Sequence, residues 1–153
     1  MSRKKSKKPV KNKVINKDKD SHKLVRRDLL LLQNDLCIMT GILLSSSSGS
    51  FHHMVKDCDG GPYTFNNGVM LFMKAHRCLH EVLERFHKDD YIQLHRRFLL
   101  YKQLLLELCS YDEEYIPRDL EEEQEEYIED IQIPMRKLIL SNNWYDSYER
   151  GVL

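Results

Sequence analysis

The sequence predicts an all-α protein: a four-helix up-down bundle preceded by a disordered basic tail, with a long loop between its first and second helices. Three observations predict it. Four stretches carry apolar residues at helical spacing, strict β-alternation is almost absent, and the apolar spacing begins only near residue 21. A chain of 153 residues suits one hydrophobic core plus a tail, so the expected division is a tail over 1–20 and a bundle domain over 21–153.

The tail stands apart by charge. The first 27 residues hold twelve Lys and Arg against two Asp, a charge of +10, and because the chain is neutral overall the remainder carries −10. Residues 1–20 contain only Val10, Val14 and Ile15 as sizeable apolar side chains. Burying so little surface does not offset the entropy of ordering a chain, which predicts disorder in the free protein. Within the tail, Arg3, Lys4, Lys5, Lys7, Lys8, Lys11 and Lys13 form a basic cluster of the kind that serves nuclear import or phosphate contact. Lysines grip phosphate through counterion release, without reading sequence. The cluster lacks aromatic residues, so the tail itself is not expected to stack on bases.

The first helix is predicted over 22–44. Val25, Leu29, Leu32, Leu36, Met39 and Leu43 follow a heptad spacing, and Ser21 suits the cap. Arg26, Arg27 and Gln33 are expected to point away from that seam. Leu24, Leu31, Ile38 and Ile42 form a second, adjacent stripe, which points to deep burial or to a partner chain. Arg26, Arg27, Asp28, Gln33, Asn34 and Asp35 interrupt the stretch, so it is amphipathic and not a membrane span. Residues 45–68, rich in Ser and Gly, read as a long loop.

The second helix is expected over 68–87 with a stripe of Phe72, Ala75, Leu79, Val82, Leu83 and Phe86, capped by Asn66 or Asn67. A short "HKDD" link then requires the third helix, 90–110, to run antiparallel to it. Apolar residues nearly encircle that helix, which predicts a central position. The fourth begins after Pro117, with Asp119 as cap, and Pro134 should kink or divide it. Eleven acids lie between Asp112 and Asp130, a solvated face or a surface for a basic partner. "NNWYDSYERGVL" at 142–153 carries no readable turn signal.

Most catalytic signatures are missing. Gly60-Gly61 is followed by Pro62, which excludes a phosphate-cradling loop there. Glu84-x-x-His87 has no second copy, as a di-iron bundle would need. Asp57 and Asp59-Gly60 lack the later ligands of a calcium loop. The four cysteines are widely spaced without a CxxC, and the opening residues are lysine-rich, so reduced thiols are expected. One metal signal remains. His76 and His80, four apart on one helix, can share a divalent ion, with His52, His53 or Cys58 completing the set.

The function these features predict is a non-enzymatic interaction or adaptor protein, a subunit of a nuclear or nucleic-acid-associated complex. It would reach protein partners or a second copy through the first helix, and phosphate or an import receptor through the tail. It would be nuclear in a eukaryote and cytoplasmic otherwise, with no membrane partner and no cofactor. Two alternatives stand beside it. One is a direct RNA or DNA binder using the tail with Arg26 and Arg27. The other is a metal-dependent enzyme centred on His76 and His80.

Overall fold

A computed structural model describes residues 21–45 and 48–141. The lysines and Arg3 of the tail, and Trp144, Tyr145 and Tyr148 near the other end, lie outside the described residues. Among the described residues the chain is mostly helical, with one two-stranded antiparallel ribbon.

Helix α1 covers 21–32 and ends twelve residues before its spacing predicts. Asn34 and Asp35 take positive φ values, 54° and 58°, and the Asp35 amide closes back on the Leu30 carbonyl at 2.8 Å. Asn and Asp tolerate this left-handed region better than most residues, so the helix ends where both occur together. The chain then doubles back through Gly41, also left-handed, so that Leu36 pairs with Leu43 and the Cys37 amide donates to the Ile42 carbonyl. Two corrections follow for the first predicted helix. Ile38 is 1% exposed, and Ile42 is packed half-buried against the core, so neither continues an exposed stripe with Leu24 and Leu31. Gln33 points inward, its carboxamide exchanging hydrogen bonds with the Met70 amide (2.9 Å) and carbonyl (3.0 Å).

The predicted loop contains half of the ribbon. Strand β1 (Gly49–His53) pairs with β2 (Gly68–Phe72), Phe51 opposite Met70 and His52 opposite Val69. Val69, Met70 and Leu71 are fully buried, so β2 is a core strand and not the start of a helix. Asn67 caps no helix. Its side chain ties the intervening loop shut, accepting from the Val55 amide and donating to the Val55 and Pro62 carbonyls. Gly68 is required because a Cβ there would lie 2.1 Å from the Phe51 ring.

Helix α2 (Met73–Cys78) starts directly after β2 and runs through a π-helical turn, Leu79–Leu83, into α3 (Glu84–Phe86). His87 alone separates α3 from α4 (Lys88–Leu108). Leu94, Phe98, Tyr101, Leu104 and Leu105 bury one side of α4, while Ile92, Leu99, Leu100 and Leu106 stay exposed, so α4 is not surrounded by the other described elements. Lys102, 5% exposed, donates to the Phe65 and Gly68 carbonyls and so ties α4 to the entry of β2. Burial lowers its ammonium to about 8.

Helix α5 (Arg118–Tyr127) and α6 (Ile133–Leu140) are joined by a second π-helical turn, Ile128–Gln132. Pro134 lacks an amide and its ring crowds the carbonyl four residues back, which falls in that turn, so the wider turn accommodates the break expected there. Asp119 lies in the first turn of α5 and does not cap it. Tyr127 stacks on Tyr101 at 3.7 Å and donates to the Ile38 carbonyl at 2.6 Å, anchoring α5 to both α4 and the turn after α1. Among the described residues no helix is long and apolar enough to cross a membrane.

Candidate metal centre

The ribbon and two helices bring four of the seven histidines together. Alternation along β1 places Ser50 and His52 on one face and Phe51 on the other. One helical turn separates His76 from His80, His80 from Glu84, and, on α4, Tyr91 from His95. Because α2 follows β2 after no intervening residue, His76 and His80 rise beside the ribbon, and α4 closes the remaining side with His95.

The ring nitrogens meet closely. His52 Nδ1 lies 3.2 Å from His76 Nε2, and His80 Nε2 lies 3.1 Å from the same atom. His52 Nε2 faces His95 Nε2 at 2.8 Å. On the outside, His80 Nδ1 meets Glu84 Oε1 at 2.9 Å, His95 Nδ1 meets the Tyr91 carbonyl at 2.8 Å, and His76 Nδ1 meets Ser50 Oγ at 2.7 Å. The second oxygen of Glu84 holds the Lys56 ammonium.

These partners decide where the protons lie. A carboxylate and a carbonyl only accept, so His80 and His95 carry their protons on Nδ1 and present bare Nε2 atoms. His52 Nε2–H then donates to His95 Nε2, which leaves His52 Nδ1 bare. With His76 donating from Nδ1 to Ser50 Oγ, three lone pairs converge: His52 Nδ1, His76 Nε2 and His80 Nε2. Even with the proton of His76 on Nε2, it satisfies only one of its two neighbours well. Either arrangement leaves at least one bare ring nitrogen facing the others.

The electrostatics agree. Burial, reinforced by His95, His76, His80 and His53, depresses His52 to about 2. Burial, then His80 and His53, lowers His76 to about 4. His80 is lowered by burial, Lys56 and His95. His95 is lowered by burial and Lys56, against the opposing pull of the Tyr91 carbonyl. Neutral imidazole is the form that ligates metal. Oriented by a carboxylate, a hydroxyl and a further histidine, the rings have the outer partners that metal-bound histidines take.

Two of the three separations have the scale of a metal site. The three candidate ligand atoms lie within 4.8 Å of one another. In a tetrahedral zinc site with metal–nitrogen bonds of about 2.0–2.1 Å, ligand nitrogens stand about 3.3–3.4 Å apart. The two shortest separations, 3.1 and 3.2 Å, are close to that edge.

The structure thus brings together His76, His80 and His52 and leaves out two other candidates. His53 packs edge-on against Phe51 and Tyr63, and Cys58 is exposed on a 3-10 turn, Asp57–Asp59. His95 escapes sequence reasoning because it is a single histidine beside the Leu94–Phe98 stripe. Its position four residues after Tyr91 carries no ligand signature. Of the other predicted site residues, Arg26 donates to the Gly49 carbonyl at 3.1 Å, joining α1 to the ribbon, and Arg27 pairs with Asp28 on the surface. Leu24 and Leu31 are exposed on α1, at 49% and 69%.

Comparison with protein-family models, with curated proteins and with solved structures finds no match.

Proposed function

We propose that this is a metal-binding helical protein that holds one divalent transition ion of the zinc class through His52 Nδ1, His76 Nε2 and His80 Nε2. A single observation carries the reading: three imidazole nitrogens converge, His76 Nε2 lying 3.2 Å from His52 Nδ1 and 3.1 Å from His80 Nε2, with each ring held from behind by a named partner. The all-nitrogen donor set suits zinc, copper, nickel or cobalt, and disfavours magnesium and calcium, which take oxygen. The ion would clamp β1 to the helix that follows β2. The full-length protein, freed of metal with a chelator and titrated with Zn2+ against a chromophoric competitor, should bind one equivalent. His76→Ala should abolish that binding. Absence of stoichiometric uptake by the folded wild type would dismiss the proposal.

A different observation favours a second reading, an adaptor in a nuclear or nucleic-acid-associated complex. Leu24 and Leu31 are exposed on α1, and the first 27 residues carry +10. In that reading the helices form an up-down bundle, α1 meets a partner or a second copy, and the tail supplies import or contact with RNA or DNA phosphates. The protein would work in the nucleus of a eukaryote, or otherwise in the cytoplasm, without catalysing a reaction. Removal of residues 1–20 should weaken nucleic-acid binding and flatten its salt dependence. Unchanged affinity and slope would exclude a phosphate-binding tail.

A further inference from the structure

We propose that the ion in this centre keeps one coordination position for a small exogenous ligand, a water molecule or a monoanion, as hydrolytic zinc sites do and closed structural sites do not. The inference rests on the metal-binding reading and concerns what that reading leaves undecided, the identity of the fourth ligand.

Donor accounting is the first support. Among the described residues, only His52, His76 and His80 group as three convergent metal-binding side chains. Three neighbouring groups able to supply a fourth donor are committed elsewhere. His95 uses Nδ1 on the Tyr91 carbonyl and Nε2 on the far nitrogen of His52, so it orients a ligand and does not act as one. Glu84 divides its two oxygens between His80 and the Lys56 ammonium. Ser50 Oγ sits behind the His76 ring, on Nδ1. Rotating any of these toward the ion would free a proton or a charge that it now satisfies.

Access is the second. His52 is 1% exposed and forms the floor of the centre, whereas the His80 side chain is 36% exposed and His76 is half-buried. An ion on these three nitrogens therefore has its protein ligands mostly below and beside it, and the remaining apex lies toward the wetter side.

Charge is the third. Three neutral imidazoles leave the ion with its full double charge, and the neighbouring Glu84 carboxylate is already paired with Lys56. At a partly desolvated site an uncompensated dication attracts an anion and lowers the pKa of bound water, which makes hydroxide or a small monoanion the favoured fourth ligand. Binding is a simple exchange: the anion donates a lone pair to the ion as the water leaves.

The test uses the full-length protein loaded with Co2+, whose visible bands report coordination number and ligand set. Azide is added to the loaded protein in one series and thiocyanate in a second. The expected result is a saturable shift of the bands with one anion bound per cobalt. If the protein takes up one cobalt but its bands ignore both anions, a fourth protein ligand closes the site; the open position is overturned while the metal-binding reading stands. Failure to take up cobalt, zinc or any other divalent transition ion overturns both.

Discussion

At the scale of single residues, His95 shows how much of a metal site lies outside its ligands. It touches no ion in the proposed arrangement, yet its bare Nε2 decides which nitrogen of His52 carries the proton. His95→Ala removes that acceptor and lets His52 turn either nitrogen inward. Zinc affinity should fall about 10–100-fold, the usual cost of losing such a partner, with the stoichiometry unchanged. His95→Gln, whose carbonyl oxygen accepts the same proton, should recover part of the loss. Equal affinities in all three proteins, measured by competition titration, would contradict the proton assignment.

The same residues set a pH dependence for the metal-free protein. His52 and His76 are held at about 2 and about 4 in the folded state, against roughly 6.5 when unfolded. Above the unfolded value both states are neutral and stability is complete. As the pH falls below it, the unfolded chain takes up protons that the folded chain refuses, so stability declines, down to about 4 for His76 and further for His52. The urea midpoint should therefore drop between about pH 7 and about pH 5, and His76→Asn should flatten the decline. A midpoint independent of pH over that interval, in the wild type, would refute the burial assigned to these rings.

At the scale of elements, the ribbon is held by one missing side chain. A Cβ on Gly68 would strike the Phe51 ring at 2.1 Å and approach Leu29 at 3.1 Å, so Gly68→Ala must displace the Phe51 ring from its stack on Tyr63. Overpacking of this kind costs about 1–3 kcal/mol, visible as a lowered urea midpoint. An unaltered midpoint would mean that Phe51 is free to move. Elements also differ in how plainly the sequence announces them. Helix α4 was readable because Leu94, Phe98, Tyr101 and Leu105 repeat at three and four residues, and nothing within it competes. The heptad of α1 reads smoothly through Asn34–Asp35, but those two residues adopt a backbone that ends the helix, and periodicity alone does not weigh that option. Strand β1 hid among Ser and Gly because its partner strand, not its own composition, makes it a strand; β2, apolar throughout, falls inside the span predicted for the second helix. In the candidate site, His76 and His80 were visible from their spacing. His52 was one of three options until the ribbon fixed its direction, and His95 had no local signal at all.

At the scale of the whole molecule, the charge division and the metal centre lie in different parts of the chain. The basic segment lies N-terminal to the ribbon, whereas the acids of 112–130 follow α4 and the histidines fall between. Metal binding and phosphate binding are accordingly separable properties: shortening the tail should leave zinc stoichiometry intact, and replacing His76 should leave salt-dependent nucleic-acid binding intact.

The histidine cluster is also compact along the chain: everything it needs falls between Ser50 and His95. All of these residues precede α5 and α6 in the chain, so the complete donor set is synthesised before the C-terminal helices. An ion captured at that stage would select the correct ribbon register while the chain is still being made, serving as a template for folding as well as a clamp on the finished structure.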